Sequence, residues 1–175
     1  YIHHGMIGSK SLLGHSIHLD NYERSQMQEM QAVAVHCPSS NLFLGSGLFD
    51  LVDFKLRGIR TAVATDTGGG TSHSMLRTLA DAYKIQQLRH YSISPLEALY
   101  WGTLGNACAL GLNNEIGNFS VGTFADFIIL NSRATKLSDN RMDSCESLAE
   151  ELFILQTLGD DRFIDSVYIA GKKQK

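Results

Sequence analysis

The apolar run "RTAVATD" ends at Asp66 and opens directly into three glycines and small polar residues, "TGGGTSHS", before a helical pattern resumes. Strand, loop and helix is the simplest reading, and it leaves a carboxylate at the carboxyl end of a strand, where parallel-sheet enzymes carry their chemistry. An aspartate placed there is ionised beside a cation, hydrogen-bonded by loop amides, or protonated. A metal ion is the strongest of these partners. His15 closes another apolar segment, "SLLGHSIHL". A neutral imidazole at such an end serves as a metal ligand, as a proton carrier to metal-activated water, or as a packing residue. A third segment ends in "HCPSSN", residues 36–41. Cys37 has no visible triad partner and reads as a small buried residue rather than a nucleophile, and His36 beside it is expected to point away from the mouth.

Two rival chemistries are weaker. Gly68, Gly69 and Gly70 could cradle a phosphate, but neither GxGxxG nor a following lysine is present, and Asp66 at the loop entrance repels an anion. The glycines read instead as positions where the backbone passes close to a ligand. His3 and His4 are adjacent, so their side chains diverge, and they read as surface or packing residues.

Those strand ends need a frame. Residues 11–19 read as a strand, 21–31 as a polar-faced helix, and 32–38 as a second strand stopped by Pro38. Residues 45–58 carry Leu48, Leu51, Val52 and Leu56 at helical spacing, and 59–66 form a third strand. This alternation implies an α/β protein with a parallel sheet and right-handed crossovers, so His15, His36 to Pro38, and Asp66 should emerge on one face. Beyond it, 72–90 reads as a long helix entered through Ser72 or Ser74, and 94–112 as another, with Ser94 as cap and Pro95 in the first turn. Residues 113–131 hold turn residues and then a strand, 147–161 a helix stopped at Gly159, and 161–175 a strand, a glycine turn and a basic tip. The expected division is 1–112 for the alternating part and 113–175 for a small β appendage.

With 175 residues, 43% of them hydrophobic, the chain can bury a core, and a formal charge of −3 gives no general attraction to nucleic acid or anionic membranes. Small-molecule chemistry or protein contact is favoured. Cys37, Cys108 and Cys145 are scattered and odd in number, as expected of a reducing compartment, hence the cytoplasm. No apolar stretch approaches the ~20 residues of a membrane helix, and no leader pattern is visible, so a soluble protein is expected. The first residue is Tyr1, not methionine, and a piece of a longer protein is expected.

The segments "GHSIHL", "HCPSSNLFLGSGLF", "TDTGGGTSHSMLRTLADAYKIQQL", "TLGNACALGL" and "IGNFSVGTFADFIIL" together resemble the carboxyl-terminal part of the guanine deaminases, a family of the metal-dependent amidohydrolase superfamily. "TLGDDRFIDSVYIAGK" is similar to that family's closing strand. The resemblance implies a distorted (β/α)8 TIM-type barrel, of which the three strands above are the sixth to eighth, followed by part of a small β-sandwich appendage. It implies that Asp66 is a zinc ligand that also takes a proton from the attacking water. His15 matches the histidine that contacts the water or substrate and that ligates a second metal in other superfamily members. In the reaction the resemblance implies, zinc lowers the pKa of bound water toward ~7, hydroxide attacks C2 of guanine, and ammonia leaves to give xanthine. The family's HxH pair and its fifth-strand histidine with a glutamate three residues on have no match here: "HHGM" and "HSIH" have the wrong intervals. The implied partners are a purine, the missing amino-terminal part of the barrel and a second copy in a homodimer, with one zinc per full-length chain. Zinc sites of this kind take three or more protein ligands, so this chain alone is expected to bind zinc poorly and to be inactive. Another aminohydrolase acting on a different heterocycle, and a non-catalytic relative, remain the alternatives.

Overall fold

The computed structural model describes residues 1–174. Strands β1 (Leu12–Gly14), β2 (Val33–His36) and β3 (Arg60–Val63) form a parallel sheet in chain order, with Leu13 opposite Ala34 and Ala34 opposite Thr61. Helix α1 (Asn21–Glu29) joins β1 to β2, entered through a capping box of Asp20 and Glu23. Between β2 and β3 stand α2 (Pro38–Leu44) and α3 (Leu51–Leu56). Pro38 does end the second strand as expected, but it also begins α2, because its fixed φ and missing N–H suit the first turn of a helix.

Strand β2 is buried along its whole length, consistent with its uninterrupted apolar run. Its alternation separates two clusters. Ala32 and Ala34 pack with Met27, Phe49, Phe54 and Ile59, while Val33, Val35 and Cys37 pack with Ala62 and Ala109. His36 stays out of the donor group at the strand ends, in line with the expectation that it points away from the mouth, and stacks on Phe49 at 4.5 Å and Trp101 at 5.7 Å.

The strands are shorter than the sequence suggests. β1 stops at Gly14 because His15 and Ser16 adopt left-handed backbone conformations, with φ of 66° and 50°. β3 stops at Val63, three residues before Asp66.

Helix α4 (Met75–Leu88) is capped by Ser74 and buries Leu79, Ala82, Ile85 and Gln86. The expected helix over 94–112 is broken into α5 (Pro95–Tyr100), a π-helical turn at Trp101–Gly105, and α6 (Asn106–Leu110), with Ser94 and Pro95 at the start as read. After the widened turn, Asn106 reaches β3: its Nδ2 donates to Val63 O and its Oδ1 accepts from Val63 N, both at 2.9 Å. A side-chain amide thus satisfies the last residue of β3 on its free edge.

A second, antiparallel sheet has the order β4 (Phe127–Leu130), β5 (Ile164–Ile169), β6 (Lys172–Lys173), with Phe127 stacked on Tyr168 at 4.5 Å. Between β4 and β5 lie α7 (Lys136–Met142), started by a Thr135/Ser138 capping box, and α8 (Leu148–Leu158). α8 packs on α4, where Phe153 meets Tyr83 edge-on at 5.4 Å. Among the described residues no helix is long and apolar enough to cross a membrane.

Candidate active site at the carboxyl ends of the parallel strands

Parallel pairing sets the carboxyl ends of β1, β2 and β3 side by side, and each is followed by a residue with a chemically useful side chain. His15, Cys37 and Asp66 offer donor atoms that all lie within 4.8 Å of one another. His15 Nε2 stands 3.7 Å from Asp66 Oδ2, too long for a hydrogen bond but within electrostatic contact. The two residues chosen from sequence are therefore brought together. Cys37 joins them unexpectedly: it is buried, as read, yet its sulfur faces the same point.

The backbone presents these groups at some cost. His15 continues the sheet pairing by donating its N–H to Val35 O at 2.9 Å, then turns left-handed. Ser16 secures the turn, its N–H on Gly14 O and its Oγ on Leu13 O. Asp66 is also left-handed, with φ 50°, and its carbonyl accepts from Gly70 N at 2.5 Å. Non-glycine residues in this region store on the order of 1–3 kcal/mol each, and such strain persists where surrounding contacts over-determine it.

The glycine loop explains part of that. A Cβ at Gly69 would lie 2.7 Å from Ser40 Oγ and 3.3 Å from Asp66 Oδ2, and one at Gly70 only 1.9 Å from Thr65 O. The close approach expected from sequence is real, but it is made to Ser39 and Ser40 of "HCPSSN" and to the loop's own backbone. His3 and His4 lie in an exposed turn outside the His15–Cys37–Asp66 group, and His3 lines the cleft beside His15.

Side-chain exposure is 46% for His15 and 37% for Asp66, so both face an open mouth, whereas Cys37 is sealed. Burial pushes the Cys37 thiol up, the Asp66 charge adds to this, and the backbone hydrogen bond of His15 partly offsets it. Without a cation the thiol stays protonated at neutral pH and is no nucleophile. A cleft of about 980 Å³ runs from His15 past Leu13 and Met27 toward Tyr22 and Tyr1. One imidazole and one carboxylate, with a thiol behind them, suit a zinc-type cation. Among the described residues no further His, Cys, Asp or Glu joins the group. Sequence spacing missed one other member: Asn41, whose Nδ2 donates to His15 Nδ1 at 2.9 Å.

Over residues 3–173 the chain matches the amidohydrolase family. It belongs to that family. The family member guanine deaminase of Escherichia coli (strain K12) is 42% identical over 172 residues, which are 98% of this chain and 39% of that protein. The fold superposes on an E. coli guanine deaminase structure with a TM-score of 0.98, covering 100% of this chain and 41% of that one. It also superposes on the C. acetobutylicum guanine deaminase, solved with guanine in its active site, with a TM-score of 0.86 at 26% identity, covering 99% and 41%. The chain therefore spans about two fifths of the length of these amidohydrolase relatives.

Proposed function

We propose that the chain is the carboxyl-terminal part of a zinc-dependent guanine deaminase. The observation that carries this is the pairing of Asp66 and His15, 3.7 Å apart at adjacent mouths of a parallel sheet, in a chain 42% identical to a guanine deaminase. On this reading β1, β2 and β3 are the sixth, seventh and eighth strands of a distorted (β/α)8 barrel. Residues 1–112 complete that barrel and 113–175 form part of a β-sandwich appendage. The remaining ligands come from the amino-terminal part of the longer protein.

Asp66 ligates zinc and accepts the proton of the attacking water. His15 holds the water or the substrate from the neighbouring strand end. Zinc, when bound, supplies Lewis acidity that brings the pKa of water toward ~7. The water oxygen bonds to C2 of guanine, one water proton passes through Asp66 to the exocyclic nitrogen and the other ends on ring N3, and the C2–N bond breaks to release ammonia and xanthine. His15 lines the cleft and Asp66 stands 3.7 Å from it, so a planar heterocycle lying in the cleft meets the imidazole with the carboxylate beside it. The resemblance supports a homodimer for the whole protein, and the three free cysteines are consistent with a cytoplasmic location.

The test is ammonia release by the full-length gene product from a panel of guanine, adenine, cytosine and related heterocycles. Preference for guanine supports the proposal. Preference for another ring replaces it with a different aminohydrolase, and silence on every ring replaces it with a non-catalytic relative. The 175-residue chain alone is expected to release no ammonia.

A further inference from the structure

Asn41 is buried, with 1% exposure, inside α2. Its N–H donates to Cys37 O at 3.0 Å and its carbonyl accepts from Ser46 N at 2.9 Å, so the side chain projects from a fixed base. That side chain meets His15 through Nδ2, 2.9 Å from Nδ1. Among the described residues no other hydrogen bond reaches the His15 ring. An amide NH2 only donates, so Nδ1 must hold a lone pair and the ring proton must sit on Nε2, the nitrogen that faces Asp66. The opposite rotation of the amide would strand two buried N–H groups. The present one strands one N–H and the Oδ1 acceptor, which has no partner, and an unpaired acceptor is better tolerated than the second unpaired N–H it replaces.

We propose that Asn41 is a positioning residue that locks His15 as the Nε2–H tautomer, so that His15 offers a proton donor to the mouth while Asp66 offers the acceptor. The tautomer follows from the geometry alone; its consequence for turnover rests on the deaminase reading above. A histidine whose second nitrogen is fixed by a neighbour keeps both its ring orientation and its donor; for metal-ligating histidines losing such a neighbour costs about 10–100-fold in affinity or activity, and a loss of that order is expected here.

The experiment uses the full-length protein with 15N-labelled histidine, His15 being assigned through a His15→Gln variant, and reads ring protonation from long-range 1H–15N correlations. Wild type is expected to be protonated at Nε2 only. Asn41→Asp, whose carboxylate only accepts, is expected to move the proton to Nδ1, and Asn41→Ala to give a mixture. With guanine, kcat of both variants should fall about 10–100-fold, with KM held within about threefold. A wild-type ring protonated at Nδ1, or an unchanged tautomer in Asn41→Asp, overturns the inference. The wild-type spectrum decides even if a variant does not fold. If wild type fails to deaminate guanine, the functional reading falls while the tautomer assignment is still decided by the spectrum.

Discussion

Replacing Gly70 by alanine should damage both the fold and the site. A Cβ there would lie 1.9 Å from Thr65 O, 3.0 Å from Asp66 O and 3.1 Å from Ser39 Oγ. The first distance is about 1.5 Å inside van der Waals contact, and the obstructing atom belongs to the backbone, so no rotamer change relieves it. The loop has to open, breaking the bond from Gly70 N to Asp66 O. That bond is worth about 1 kcal/mol, and forcing a methyl group into packed surroundings costs a further 1–3 kcal/mol or so. The expected destabilisation of Gly70→Ala is roughly 2–4 kcal/mol. Because the opened segment carries Asp66, a displacement near 1 Å should also lower turnover by about a hundredfold. Gly8→Ala is the control: nothing lies within 4 Å of its Cβ, and a change below about 0.5 kcal/mol is expected. Urea denaturation and guanine turnover of the full-length protein measure both effects. A Gly70→Ala protein with wild-type midpoint and rate would refute the claim that a crowded glycine loop sets the place of Asp66.

Three further perturbations concern buried or partly buried polar groups. Burial pushes His36 down to about 3, so below about 6.5 the unfolded chain takes up a proton that the folded chain refuses. Its contribution to stability is constant above that range and falls on acidification by up to about 1.4 kcal/mol per pH unit. His36→Phe, which keeps a ring between Phe49 and Trp101, should flatten the change in urea midpoint between pH 7 and pH 5; equal slopes in the two proteins would contradict it. Asn106→Ala removes both bonds to Val63 and should cost about 2 kcal/mol, with faster hydrogen exchange at the Val63 amide as the local signature. Asp160 is held down to about 2, first by its side-chain hydrogen bonds from Arg162 and further by the charge of Arg77. The stabilisation is present in full above the ordinary carboxylate range and is lost as pH falls through about 2. Asp160→Asn should therefore lower stability at pH 7 by roughly 1–3 kcal/mol, and an unchanged midpoint would argue against the cluster's role.

The sequence discloses the alternation of the parallel layer because β2 and β3 are short apolar runs separated by segments of helical spacing. It discloses Asp66 and His15 because a charged or ionisable residue at the end of such a run stands out. Cys37 and Asn41 stay hidden for a physical reason. Whether a residue past a strand end faces its neighbours depends on backbone turns such as the left-handed His15 and Asp66, and no spacing rule specifies those. Helix α2 is hidden because Pro38 looks like a terminator from one side and a helix start from the other. The break after Tyr100 is hidden because a π-helical turn leaves the apolar periodicity of residues 94–112 nearly intact.

The most direct test of the central claim pairs metal content with product formation in the full-length protein, wild type against Asp66→Asn. Wild type should carry about one zinc and convert guanine to xanthine, and Asp66→Asn should lose most of the metal and at least about a thousandfold in rate. An Asp66→Asn protein that retains its zinc and its rate would contradict the assignment of Asp66, and with it the site proposed for this chain.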